Sequence, residues 1–181
     1  MIKKMILLLV LIVIGASGFG ICKLVQKKAE NEARAIIARA EASLENKEWD
    51  AAMTDLDTAL EKTDNVKDEV LAIKSVIFAE KKDLPKLTEI VSQMNPKSES
   101  YSKAILNLAN LQLKKELYDE ASANFEKLSA FEATKDDAEY GMGAIYFARE
   151  DYDQAKIRFD SLLKKNLNKP FMTDLKFKLG K

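Results

Sequence analysis

Apolar positions in this chain follow a helical rhythm nested inside a longer one. Trp49, Ala52, Leu56 and Ala59 stand at offsets of 0, 3, 7 and 10, the spacing of one face of an α-helix. The same stripe returns as Leu84, Leu87, Val91 and Met94, as Tyr118, Ala121, Phe125 and Leu128, and as Tyr152, Ala155, Phe159 and Leu162. The leading residues are separated by 35, 34 and 34 positions. A second helix fits before each stripe, so the pattern predicts helix pairs. First helices are expected near 33–46, 67–80, 101–115 and 135–149, and second helices near 49–62, 84–94, 118–130 and 152–165. No stretch alternates with the period of two that a half-buried strand needs, so the fold class is all-α.

Punctuation agrees with the pairing. Asn46-Lys47, Lys82-Asp83, Lys115-Glu116 and Glu150-Asp151 separate the helices of a pair, and Asn95-Pro96 ends the second pair early. One such pair leaves its apolar stripe uncovered, so several must stack, and the leading residues Trp49, Leu84, Tyr118 and Tyr152 are expected in the core between pairs. Residues 170–181 read as a covering helix. Pro170 suits its start, and Phe171, Leu175 and Leu179 form an apolar stripe.

The motif set is similar to the tetratricopeptide repeat. The resemblance rests on the small residues Ala40, Ser75, Ala109 and Gly143, on the large leading residues, and on Ala52, Ala121 and Ala155 with Leu56, Phe125 and Phe159 after them. It covers about residues 33–166. The second unit departs most, with Leu84, Leu87 and Met94 at places where the family has an aromatic and small residues. The resemblance implies an α-solenoid of four repeats, about 33–66, 67–100, 101–134 and 135–166, closed by the helix at 170–181. It further implies a concave face, lined by the first helix of each pair, that binds a peptide or helix of a partner protein. Carried over residue by residue, that face takes Ile37 and Glu41 from the first unit, Val76 from the second, Lys103, Leu106, Asn110 and Leu113 from the third, and Tyr140 and Phe147 from the fourth. Leu106, Leu113, Tyr140 and Phe147 make it more apolar than a solvated face requires. The competing reading is that the terminal helix, or tight curvature, already covers them.

The first 28 residues differ in kind. Met5 to Cys22 is uncharged over 18 residues, between Lys3-Lys4 and Lys23, Lys27 and Lys28. As a helix it would reach roughly 27 Å, enough for a bilayer core. A transmembrane anchor over residues 5–25 is therefore expected, continuing with a break near Gln26–Asn31 into the helical domain at 29–181. A cleaved signal ending near Ala16-Ser17-Gly18 and a lipoprotein signal ending at Cys22 are the alternatives. The signal-like order places the chain in the inner (cytoplasmic) membrane as a single-pass protein, N-terminus inside and repeats on the extracytoplasmic side. Ala16 and Gly20 form a small-xxx-small pair that could support a weak homodimer.

Charge and composition narrow the functions. The whole chain balances 29 basic against 29 acidic residues, but five lysines precede residue 29 and no acid does. The remainder is net acidic, and no basic face marks a nucleic-acid partner. There is no histidine, and the single cysteine is Cys22. No catalytic residues, metal ligands or cofactor motifs are expected. Gly141-Met142-Gly143 lies inside a helical pattern with no strand before it, so it reads as packing and not as a phosphate loop. The functional expectation is a membrane-anchored scaffold or assembly factor of the cell envelope, with protein partners in or at the membrane. A holdase-type chaperone for exported or membrane proteins is the alternative.

Overall fold

The computed structural model describes residues 2–165 and 169–178, with side chains from Ile21 onward except at 171 and 175–177. Every regular element among them is helical: α1 (Ile2–Glu45), α2 (Trp49–Lys62), a 3₁₀ turn (Asp64–Val66), α3 (Lys67–Glu80), α4 (Leu84–Ser92), α5 (Glu99–Lys114), α6 (Tyr118–Leu128), α7 (Lys135–Ala148), α8 (Tyr152–Lys164) and α9 (Phe171–Lys178). The chain divides into two compact units, Met1–Val70 and Leu71–Lys181, with the boundary inside α3.

In the first unit the C-terminal part of α1 pairs with α2. Ala33, Ile37 and Ala40 are buried on α1, as are Ala52, Leu56 and Ala59 on α2. The alanines let the helix axes approach, and Leu56 fills the space that remains. Arg39 clasps Asp55 with two hydrogen bonds of 2.7 and 2.5 Å, and Arg34 reaches Glu69 at 2.8 Å and Glu30 at 3.2 Å. These side chains lie at the surface, so they orient the helices and add little stability.

In the second unit α5 packs on α6, α6 on α7 and α7 on α8. One core runs from Leu71 and Leu87 through Ile105, Phe125 and Leu128 to Met142 and Ile145. A smaller cluster follows at Ala155, Phe159 and Leu162. All twelve residues at offsets 3, 7 and 10 of the four stripes are buried. The leading residues are not: Trp49, Leu84 and Tyr118 are partly buried, and Tyr152 is 56% exposed. Tyr152 thus departs from its expected core position. No further helix pair follows α8 among the described residues, and the ring meets Phe147 edge-on with centroids 5.4 Å apart.

The turns within pairs are built alike. Lys47, Lys82, Glu116 and Glu150 take left-handed backbone angles, φ 55 to 64°, each two residues before a leading residue. The next amide reaches back over the turn, Glu48 to Ser43, Asp83 to Phe78, Leu117 to Gln112 and Asp151 to Tyr146, at 2.8 to 3.0 Å. These 6→1 bonds close each first helix with a Schellman motif. The second helix starts at once, and the Asp83 and Asp151 side chains accept from Lys86 and Gln154 amides at 3.2 Å.

Gly141 and Gly143 lie on buried faces of α7, where a Cβ would enter the rings of Phe125 and Phe159 respectively. Phe159 in turn stacks on Tyr140, centroids 5.9 Å apart.

The N-terminal expectation needs correction. Among the described residues no helix is long and apolar enough to cross a membrane, which overturns the transmembrane helix and the single-pass inner-membrane placement. The expected break near Gln26–Asn31 is missing, because α1 runs unbroken to Glu45. Its described side chains include Lys23, Lys27, Lys28, Glu30, Glu32, Arg34 and Arg39, and charges at that density exclude a bilayer core. The side chains of Ala16 and Gly20, on which the homodimer expectation rests, lie outside the described residues, as do those of Phe171, Leu175 and Leu179.

Candidate functional site

In the second unit the first helices of the third and fourth pairs, α5 and α7, border an open groove of about 570 Å³. Asn110 and Leu113 come from α5, Tyr140 and Phe147 from α7, and these four expected residues meet there. Each is partly exposed. Helical spacing accounts for this, since Asn110–Leu113 and Tyr140–Ala144–Phe147 are i, i+3 or i+4 neighbours on single faces. Ala144 lies between the two rings of α7 and keeps that wall low.

The remaining expected residues are placed differently. Leu106 is partly buried and packs against the main core, while Lys103 and Val76 are exposed. Val76 keeps 40% of its surface, and none of these three lines the groove. In the first unit Glu41 is exposed, whereas Ile37 is 2% exposed. Ile37 is therefore corrected from a groove residue to a core residue. It shares the buried stripe of Ala33 and Ala40, which leaves it no surface to offer a partner.

Three contributors were not expected. Tyr118, assigned to the core, lends its ring to the groove, with the Arg149 guanidinium 5.7 Å from the ring centre. Glu116 reaches the groove because its left-handed turn projects it there. Lys178 of α9 forms a rim, its ammonium 5.6 Å from the centre of the Phe147 ring.

The C-terminal helix is held on α7 by polar contacts. The Tyr140 hydroxyl donates to Asp174, and just before α9 Lys169 donates to Asp137 at 2.7 Å; within α9 itself Lys178 donates to both Asp174 oxygens at 2.9 and 2.8 Å. Burial, and then the bond to a carboxylate, push the Tyr140 phenol above its ordinary range. Burial raises the Asp174 pKa, but Lys178 and Tyr140 outweigh it and hold this carboxyl below its usual range. So α9 covers the hydroxyl end of Tyr140 and leaves the strip from Leu113 to Phe147 open. Asp174 stands 34 residues after Tyr140, one repeat period on, which is the signal that could have placed α9 beside α7.

Among the described residues no group of three or more histidine, cysteine, aspartate or glutamate side chains could hold a metal ion. The groove's chemistry is apolar rings, one amide at Asn110, the ammoniums of Lys114 and Lys178, and the carboxylate of Glu116.

No family model matches the sequence, and no curated protein matches it either. In three dimensions the chain is similar to the crystal structure of a tetratricopeptide repeat protein from Parabacteroides merdae, with a TM-score of 0.59 and 17% sequence identity. The likeness covers 83% of this chain and 61% of that one, so this chain spans less than two thirds of its neighbour. At that identity the likeness shows the fold, a tetratricopeptide-like stack of helices.

Proposed function

We propose that this protein is an interaction scaffold that holds a peptide or helix of a partner protein in the groove between α5 and α7. One observation carries the reading. The stripe residues at offsets 3, 7 and 10 are consumed by the core, while the non-repeating residues Leu113, Tyr140 and Phe147 converge, partly exposed, around one cleft. Apolar rings that solvate poorly, with the Asn110 amide and the Lys114 and Lys178 ammoniums against one carboxylate, Glu116, at the border, suit an amphipathic segment with apolar anchors and an acidic flank. The repeats at 33–66, 67–100, 101–134 and 135–166 supply the frame in this reading, and the activity is binding without turnover. The tetratricopeptide-like fold supports it, since stacked helix pairs present extended binding faces.

A photo-crosslinking residue in place of Ala144 should capture one partner in stoichiometric amount from cells, and Phe147→Glu should lower its affinity by at least about tenfold. Unchanged affinity in a folded Phe147→Glu protein rejects the groove. A holdase would instead suppress aggregation of unrelated unfolded proteins, and that assay separates the two activities.

A further inference from the structure

A second hollow, of about 440 Å³, opens among α4, α5 and α6. Its origin is the irregular second stripe. Pro96 forces Asn95 out of helical geometry, so α4 stops at Ser92 after 9 residues where α2, α6 and α8 have 14, 11 and 13. The missing turn exposes a trough whose apolar lining includes Val91, Met94, Ile105 and Leu108. It extends along α5 from Tyr101 to Gln112, about 16 Å of helix.

A directed chain of hydrogen bonds ends in this trough. The Lys127 ammonium donates to Asn124 Oδ1 at 3.1 Å, and Asn124 Nδ2 donates to Gln112 Oε1 at 2.7 Å. An ammonium only donates, so Asn124 must turn its oxygen to Lys127 and its NH₂ to Gln112. Gln112 then accepts through Oε1, and its own NH₂ has no partner among the described residues. Both amides are only 8% exposed, and both line the hollow. The Gln112 amide donor, on a side chain only 8% exposed and polarised by a cation two links away, thus opens onto an apolar trough.

We propose that this hollow is a binding site for a small aliphatic carboxylate, separate from the groove between α5 and α7. The alkyl chain lies along Val91, Met94, Ile105 and Leu108. One carboxylate oxygen accepts from Gln112 Nε2, within the field of Lys127. Glu120, exposed at the rim, opposes the anion and limits its affinity.

The probe is decanoate, titrated below its micelle concentration into the full chain carrying ¹³C-methyl methionine. The Met94 methyl signal should shift saturably. Decylamine, with the same chain and the opposite charge, should bind at least about tenfold more weakly. Gln112→Met should weaken decanoate by about tenfold, and Glu120→Gln should tighten it severalfold. Ala123→Phe, at an exposed position of α6 that lines the hollow, should block binding without disturbing the core. No saturable shift, equal affinity for decylamine, or undiminished decanoate binding in Ala123→Phe or Gln112→Met overturns the proposal.

Discussion

Replacing Gly143 by alanine tests the packing of α7 most directly. In an exposed helix this change stabilises by about 0.8–1.0 kcal/mol, because glycine loses more backbone freedom than alanine. Here the new methyl falls within the Phe159 ring. That ring has little room to retreat: it is 0% exposed and stacks on Tyr140 at 5.9 Å. Overpacking of this kind costs about 1–3 kcal/mol. Subtracting the helix gain leaves a net loss of about 0–2 kcal/mol, opposite in sign to the exposed case. Urea unfolding followed by far-UV circular dichroism measures it. The double variant Gly143→Ala/Phe159→Leu should lose less than the sum of its singles, with a coupling of about 1 kcal/mol, since the smaller side chain makes room for the methyl. Gly141→Ala against Phe125 repeats the test on the other ring. A Gly143→Ala protein that gains about 1 kcal/mol, together with zero coupling in the double variant, would refute the argument.

Other consequences can be measured on the same protein. Glu116→Gly should stabilise by about 0.5–1 kcal/mol in urea unfolding, because glycine accepts the left-handed turn without the steric penalty that φ 60° imposes on glutamate. Ser98→Ala should cost about 1 kcal/mol, because Ser98 Oγ accepts the Tyr101 amide at 3.1 Å and caps α5. The contact between Asp174 and Tyr140 should weaken in acid. A carboxyl whose folded pKa lies below its unfolded value of about 4 contributes stability above that value and loses it as pH falls through the folded one. Tyr140 ring signals in NMR should therefore shift below about pH 4, and Asp174→Asn should abolish that transition.

How much of this was legible beforehand depends on whether a residue's environment repeats. The positions behind the leading residues, such as Ala121, Phe125 and Leu128, meet the same kind of neighbour in every pair, so their spacing alone identified them as core. The pair turns were located by Lys47, Lys82, Glu116 and Glu150, though their left-handed geometry was not, since none is glycine. Ile37 and Leu113 were both read as facing a partner, yet one is buried and the other borders a cleft. The resemblance puts both on the partner-facing side, and only their actual neighbours distinguish them.

By itself the sequence determined the helical class, the 34-residue period and the early stop of α4 ahead of Asn95-Pro96, because periodicity, backbone propensity and proline sterics act over a few residues. The tertiary structure decided which faces stay open. It laid α9 across the hydroxyl end of Tyr140, left Tyr152 in solvent, and turned the shortened α4 into a trough ending at Gln112. Those outcomes arise from contacts between residues distant in the chain, and a pattern of local spacings does not encode them.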